Sequence, residues 1–574
     1  MDMSVRGSGR RHQPSFAEMF TPKLVTVLRD GYGWSDFRAD AVAGLTVAIV
    51  ALPLSMAIAI GSGLSPEKGL YTAIIGGFLI SALGGSRFQI GGPAGAFIVL
   101  IATIVERQGY DGLVLATLMA GMMMMAVGFL RLGIYIKYIP FPVTVGFTAG
   151  IAVIIFVSQV KELLGLDISK EPAAFIPKLI AIGDSINTVK PATIALSVLA
   201  IGIIVGLRHY RPKWPGLLVA VAVTAIITTL LNLDVATIGT HFGGVPQTLP
   251  APSLPAFDLA KIRAVFPDAV TIALLGAIES LLSAVVADGM TGRKHRSNCE
   301  LVAQGAANMA AVTFGGMCVT GTIARTATNV RAGGRSPVAG IMHAIYILLF
   351  MLVAAPLASY IPLAALGAVL AVVAWNMAEK EEFSSLIRSS WGDATVLLAT
   401  FLLTVFADLT TAIAVGVTLG AFLFLHRMAE ATEIEGSGQL IARDEADGTG
   451  AQRTVYDPHA LNGDAMVYRI RGAFFFGATA AVSAVLDRIG EHPKVFVIDF
   501  TEIPLVDSTA AKALEGFVQK LHHSGTQVYF VGARKSVRRT LLLSGLRKPL
   551  VRYAPSAEEA LLHWRTPFKD DGPG

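Results

Sequence analysis

Residues 314–334 read FGGMCVTGTIARTATNVRAGG, and this stretch lies in the most apolar half of a 574-residue chain. Its flanks are too apolar for a soluble loop. Its interior carries too many glycines, and one arginine (Arg325), for an uninterrupted membrane helix. Gly and Thr at this density interrupt helical hydrogen bonding, and non-helical backbone at membrane depth is tolerated only where it is buried in protein or lines a watery cavity. The segment therefore reads as a helix that starts inside the membrane after a short extended piece.

Composition gives the setting for that reading. The chain is 53% hydrophobic and 15% charged, with mean hydropathy +0.61, whereas soluble domains carry about 25% charged residues. Apolar runs over 41–60, 112–130, 139–157, 191–207, 215–231, 338–358 and 409–425 are long enough to cross a hydrocarbon core of about 30 Å. With the shorter segments included, the sequence predicts a polytopic α-helical membrane protein of about 14 spans, occupying 39–428. Segment 171–186 is more amphipathic and is expected at the interface.

The net charge of +5 does not point to nucleic acid, because the basic residues cluster beside span ends. Arg6, Arg10 and Arg11, then Arg131 and Lys137, Arg208 to Lys213, Arg293 to Arg296, and Arg331 with Arg335 all fall on one side. Lys161, Lys170 and Lys178 fall on the other. An even span count then puts both termini in the cytoplasm, and the expected location is the plasma (inner) membrane. Residues 1–38 form a charged cytoplasmic segment without the apolar core of a cleavable signal peptide. Cys299 and Cys318 are the two cysteines, and no disulfide between them is expected. The glycine pairs Gly146/Gly150 and Gly416/Gly420 have the spacing of close helix packing.

Beyond Met428 the pattern changes. Residues 429–460 are acidic, Gly-bearing and aperiodic, as a linker is. From 461 to 566, strand-like runs (AMVYRIRG, VFVIDFTEI, TQVYFVGA) alternate with helix-like ones (DSTAAKALEGFVQKLHH, SVRRTLLLSGL). That alternation predicts one small cytoplasmic α/β domain, followed by a tail over 567–574.

The opening stretch has a counterpart, LGGSRFQIGGPAGAF, at 83–97. Both begin with a hydrophobe and two glycines, and both run from a short β-like piece through a break into a helix. They are separated by about half the membrane region, so about seven spans precede each equivalent point in the second half. An odd number inverts the second half, giving a 7+7 inverted repeat with paired broken helices, the pattern that marks a binding site near the bilayer midplane. Two helix N-termini facing one another offer unpaired N–H groups and positive dipole ends to an anion. Pro93 suits a first helical turn.

Arg325 then either adds positive potential beside that anion or pairs with a carboxylate, but it must face protein or water. Glu279 lies mid-span in AIESLLSAVVAD, with Ser283 four residues on along the same helical face. Glu279 is a candidate proton carrier; with Ser283 it would alternatively supply oxygen ligands to a sodium ion. No nucleophile, phosphate loop or metal-ligand spacing points to an enzyme or a resident cofactor.

These motifs, with GLTVAIVALPLSMAIAIGSGLSPEKGLYTA (44–73), ELVAQGAANM (300–309) and TGTIARTATNVRAGGRSP (320–337), resemble the SulP (sulphate permease) family of anion transporters, with a C-terminal STAS domain. The resemblance implies core and gate domains moving against each other, a homodimer, and a small anion held between spans 3 and 10. Carried onto this sequence, it implies substrate contacts at Leu54, Ile58, Ala94, Gly95, Ala96, Thr322, Ile323, Ala324 and Arg325, and coupling to H⁺ or Na⁺ at Glu279 and Ser283. Two positions depart from the family pattern: Leu54 stands where many relatives have Gln, and Ala324 where several have Ser. Fewer side-chain donors leave the backbone N–H groups to hold the anion. In VDSTA (506–510), Thr509 matches a phosphorylatable position of bacterial STAS relatives, and the alternative is a helix start capped by Asp507 and Ser508. Sulphate, bicarbonate and dicarboxylates remain as substrates of a secondary transporter. A nucleobase carrier of the same fold, an anion channel and a membrane-anchored STAS signalling protein are the competing readings.

Overall fold

The computed structural model describes residues 16–133, 139–168, 171–172, 174–211, 214–255, 258–407, 409–430, 433–435, 465–471 and 494–565. By its internal contacts the chain divides into two units, Met1–Val417 and Thr418–Gly574. The division falls inside a helix, Leu409–Glu430, a little before the change of composition at Met428. The linker expected over 429–460 and the tail over 567–574 lie largely outside the described residues.

The first unit is helical. Two short helices, α1 (Phe16–Phe20) and α2 (Lys23–Arg29), precede α3 (Trp34–Gly61), α4 (Pro66–Tyr71) and α5 (Gly77–Leu83). A two-residue strand β1 (Gly91–Gly92) then leads through a single 3₁₀ turn (Gly95–Phe97) into α6 (Ile98–Phe129). Gly109, at φ 69°, breaks α6 into a short helix and a full span, a backbone angle that glycine adopts without steric cost. Helices α7 (Phe141–Leu164), α8 (Phe175–Asp184), α9 (Pro191–Tyr210), α10 (Gly216–Leu230) and α11 (Ile238–Phe242) complete the first half. The amphipathic segment expected over 171–186 is α8.

The second half repeats the pattern. Helices α12 (Leu259–Thr291) and α13 (Ser297–Thr313) lead to β2 (Thr320–Gly321) and the short α14 (Ile323–Arg331). After these come α15 (Val338–Ala358), α16 (Leu363–Met377), α17 (Lys380–Ser389), α18 (Trp391–Phe406) and α19 (Leu409–Glu430). Among the described residues, eight helical stretches are long and apolar enough to cross a membrane, and α10 and α18 are shorter apolar helices.

The helices pack as two groups. In one, α6 lies against α12 and α13, and α3 against α15. In the other, α7 lies against α16 and α18, and α9 against α10 and α16. Small residues set the closest crossings, as expected where lipid supplies no hydrophobic drive between helices. A Cβ on Gly121 of α6 would sit 2.7 Å from the Gly305 carbonyl of α13. Gly146 and Gly150 of α7 press on α18 in the same way, with Leu397 O 2.5 Å from a Cβ at the first and Thr404 Cβ 2.7 Å from one at the second.

The second unit holds a five-stranded sheet of β3 (Glu433–Glu435), β4 (Ala465–Arg471), β5 (Val495–Asp499), β6 (Gln527–Val531) and β7 (Arg552–Ala554), in that order. The β3–β4 pair is antiparallel; the others are parallel. Helices α20 (Ser508–His523), α21 (Lys535–Leu543) and α22 (Ala557–Arg565) connect and cover it. Strand β5 is buried throughout, which is why its sequence is apolar without alternation. Phe496 and Ile498 pack with Leu514, Val518 and Leu541 on one face; Val495 and Val497 pack with Leu561 on the other.

Candidate functional site

The two broken helices meet. Strands β1 and β2 pair antiparallel, with Gly91 opposite Gly321 and Gly92 opposite Thr320. This small ladder satisfies backbone groups that would otherwise be orphaned deep in the protein. It also fixes where the helices after it begin. Ala94 (φ −116°, ψ 143°) and Thr322 (φ −106°, ψ 130°) are both extended residues immediately before a helix, and neither start receives a side-chain cap. The first N–H groups, those of 95–96 and 323–325, therefore precede the first bond of each helix, Phe97 N–H to Ala94 O (3.1 Å) and Thr326 N–H to Thr322 O (3.0 Å). An anion between them meets two positive dipole ends.

The side chains around these starts are mostly small or apolar. Ala94 and Ala96 are buried with Leu54 and Ile58 of α3 in one apolar cluster. Gly95 is half-buried, and its Cα–H faces α16 and α7: a Cβ there would lie 3.2 Å from Met377 Sδ and 3.8 Å from Ile155 Cδ1. Thr322 and Ile323 are half-buried and Ala324 is exposed. Residues 94–96 and 322–325 thus gather at the β1–β2 crossing, and Leu54 and Ile58 lie on α3, the helix that Arg325 reaches through Ser55.

Arg325 faces protein and is only 2% exposed. Its Nη1 donates to Gly91 O (3.3 Å), and Nη2 donates to Pro93 O (3.3 Å) and Ser55 Oγ (3.1 Å). Nε has no partner. Among the described residues no carboxylate pairs with it, so the ion-pair alternative is not the arrangement found. The guanidinium ties α14 to α3 and to the strand before the opposite helix. It lies against the Cα of Gly92, where a Cβ would collide with Nη1. Both Nη groups are already committed to protein oxygens, so an anion at the helix starts would meet this charge as fixed potential and not as a direct contact.

Glu279 and Ser283 are not brought to one cavity. Ser283 is fully buried, and its hydroxyl bonds Thr326 Oγ1 of α14 (2.9 Å). Glu279 is half-buried beside a void of about 20 Å³ lined by Thr144, Phe147 and Thr148 of α7 and Ile413 of α19. It makes no hydrogen bond among the described residues. Ser283 supports the half-helix; Glu279 faces the other helix group.

Sequence reasoning missed the residues that hold the broken helices in place. Glu300, Gln304 and Asn308 recur every fourth residue on α13, all buried, so they share one helical face. Glu300 Oε2 accepts the N–H groups of Gly85 (2.8 Å) and Ser86 (3.1 Å), and Gln304 Nε2 donates to Glu300 Oε1 (3.0 Å). Asn308 bonds both the N–H (3.0 Å) and the carbonyl (2.7 Å) of Val319. Gln89 Nε2 reaches Ser280 Oγ (2.9 Å), and Asn329 Nδ2 reaches Phe88 O (2.8 Å). The i, i+4, i+8 polar spacing within an otherwise small-residue helix was the available signal.

In the second unit, Asp507 is the N-cap of α20, with Oδ1 accepting the Ala510 N–H at 2.7 Å. Ser508 is the first helical residue rather than a cap. Thr509 is exposed beside it.

Paired half-helices crossing at a short antiparallel ladder, joined to an α/β sheet domain, define a helical membrane transporter carrying a STAS domain. The chain belongs to the sulfate permease family, whose model matches residues 37–400, and a STAS domain model matches 459–560. It is 40% identical over 520 residues to YvdB of Bacillus subtilis, a candidate sulfate transporter, covering 90% of this chain and 95% of that one. It is 31% identical to the bicarbonate transporter BicA of Synechocystis over 521 residues, covering 88% and 90%. The solved transmembrane domain of a cyanobacterial BicA superposes with TM-score 0.62 at 31% identity, covering 67% of this chain and 98% of that one. Murine Slc26a9, an anion transporter, superposes with TM-score 0.82 at 17% identity, covering 98% and 97%, which shows the shared fold. The protein is a multi-pass membrane transporter and not an enzyme.

Proposed function

We propose that this protein is a secondary active transporter of a small inorganic or carboxylate anion, of the sulfate, bicarbonate or dicarboxylate class. The observation that carries this reading is the pair of uncapped helix starts at Ala94 and Thr322, held face to face by β1 and β2. The anion lies between 94–96 and 322–325 and is held by backbone N–H groups under the fixed charge of Arg325. The names of the relatives support an anion, and the sparse side-chain donors fit a small one. Transport follows from the α3–α6–α12–α15 group moving against the α7–α9–α16–α18 group, with Gly95 passing Met377 and Ile155. Both termini lie in the cytoplasm of a plasma-membrane protein, and the assembly is a homodimer.

Glu279 couples an ion gradient to this movement. It sits on the face of α12 turned to α7 and α19, so a proton gained or lost there changes the charge that must cross the interface. Because Ser283 is committed to Thr326, a sodium ion at Glu279 lacks the second ligand the sequence offered, which favours proton coupling. Uptake of labelled sulfate, bicarbonate and succinate into proteoliposomes, with proton and sodium gradients imposed separately, tests the assignment. Ala94→Asp and Ala324→Asp should each abolish uptake by placing like charge at the helix starts. Glu279→Gln should keep anion exchange and lose gradient-driven accumulation. Parent-rate uptake in folded Ala324→Asp, or undiminished accumulation in Glu279→Gln, would overturn the corresponding role.

A further inference from the structure

On the second helix group lies a groove of about 720 Å³, away from the β1–β2 crossing. Phe156 of α7, Ile201, Ile204 and Val205 of α9, and Val372 and Trp375 of α16 form its walls. These are membrane helices, and the volume falls in the range of about 300–1,000 Å³ typical of small-molecule sites. One end of the groove is different in kind. Arg208, in the last turn of α9, donates from Nη1 to Asn376 Oδ1 (2.6 Å). Lys380 Nζ stands 3.3 Å over the Trp375 ring. Trp375 itself is 63% exposed, as a residue at a membrane–water boundary is.

Three carboxylates share that end: Glu379, Glu381 and Glu382. Glu379 takes the left-handed conformation (φ 39°, ψ 52°), which a non-glycine residue holds only at a cost of about 1–3 kcal/mol. This turn sends the chain back from α16 into α17, bringing Lys380, Glu381 and Glu382 over the groove's mouth. The result is an apolar channel between membrane helices with both signs of charge at one end.

We propose that the groove binds a zwitterionic phospholipid with a primary ammonium headgroup, the phosphatidylethanolamine class. One acyl chain lies along Ile201, Val205 and Val372. The phosphate meets Arg208 and Lys380, and the ammonium donates to the carboxylates of Glu381 and Glu382. Charge complementarity selects this occupant: phosphatidylglycerol brings no cation to the three carboxylates, the extra carboxylate of a serine headgroup would meet them with like charge, and a quaternary ammonium has no N–H to donate to them. The site also touches function. Helix α16 presents Met377 to Gly95 at the half-helix start, two residues beyond Trp375, so a lipid seated behind α16 braces the wall past which the anion site moves.

The test is native mass spectrometry of the full chain released from vesicles of equal parts phosphatidylethanolamine, phosphatidylglycerol and phosphatidylcholine. The parent should retain phosphatidylethanolamine above its one-third share. Arg208→Gln with Lys380→Gln should lower that retention about tenfold, the loss of charge-assisted contacts to the phosphate. Glu381→Gln with Glu382→Gln should instead shift retention toward phosphatidylglycerol while the fold stays intact. Trp375→Ala, which widens the groove without altering charge, should weaken all three lipids alike. Preferred retention of phosphatidylglycerol by the parent, or equal lipid retention by the parent and the Arg208/Lys380 variant, overturns the proposal. So does a lipid-free dimer that cross-links through a cysteine placed at Val205, because the occupant is then a second copy.

Discussion

Replacing Arg325 with Met separates the two roles a buried arginine combines. Methionine keeps the unbranched stem and removes the charge. In the protein, the guanidinium makes three hydrogen bonds at 3.1–3.3 Å, to Gly91 O, Pro93 O and Ser55 Oγ. Losing them leaves the Gly91 and Pro93 carbonyls short of a partner, at about 1–3 kcal/mol for each buried group left unsatisfied. Against this, an unpaired buried charge is no longer desolvated, a relief of several kcal/mol. The two terms oppose, so the fold should survive within a few kcal/mol. Anion affinity has no such offset. For a separation of about 8 Å and an effective dielectric near 20, a unit charge contributes about 2 kcal/mol, or roughly thirtyfold in Kd. Arg325→Lys keeps the charge and should lose much less. The assay is anion titration of purified protein by isothermal calorimetry, with thermal unfolding measured on the same preparations. Arg325→Met that unfolds like the parent and binds the anion within about threefold of it would refute the electrostatic role. Binding would then rest on the helix ends alone.

Asn308→Ala should destabilise the membrane unit by about 2–5 kcal/mol, because it strands both the N–H and the carbonyl of Val319, read as a drop in thermal unfolding temperature without a change in span insertion. Gly92→Ala places a methyl group on the Arg325 guanidinium and should cost about 1–3 kcal/mol through overpacking. In the Arg325→Met background the same change should cost less than about 1 kcal/mol, since the double-mutant cycle removes the colliding group. In the STAS domain, burial pushes the Asp499 carboxyl up, but the Thr501 hydroxyl and N–H and the Arg469 guanidinium outweigh it and hold the group below its ordinary value. A depressed folded-state pKa contributes stability that is present above the unfolded value of about 3.9 and is lost as pH falls through the folded one. Hydrogen exchange across 495–499 should therefore show protection falling in that acid window in the parent and no such step in Asp499→Asn; an identical step in both would remove Asp499 as its cause.

The membrane class, the broken helices and the α/β domain were legible in the sequence because each has a one-dimensional cause. Apolar runs of span length are set by bilayer thickness. A Gly-rich break flanked by apolar residues has only one tolerable setting in lipid, and the match between 83–97 and 314–328 follows from the repeat. The strands of the second domain, β5 above all, announced their burial through continuous apolar sequence. Arg325 and Glu279 stood out because charge at mid-span is costly.

What each of those charges touches was decided by the tertiary structure. Spacing alone put Glu279 and Ser283 on one face of α12, yet the packing of α14 on that helix claims the Ser283 hydroxyl for Thr326 and leaves Glu279 toward α7. Arg325 could have paired with an acid or lined a path; the β1–β2 register puts the Gly91 and Pro93 carbonyls within its reach instead. The bonds from α13 to residues 85, 86 and 319 join positions as much as 215 apart in the chain, and periodicity reports only local repeats. Helix and span are written in short-range pattern. The orientation of a polar group inside the membrane depends on which distant backbone atoms are left unpaired, and only the folded chain brings those atoms within hydrogen-bond range.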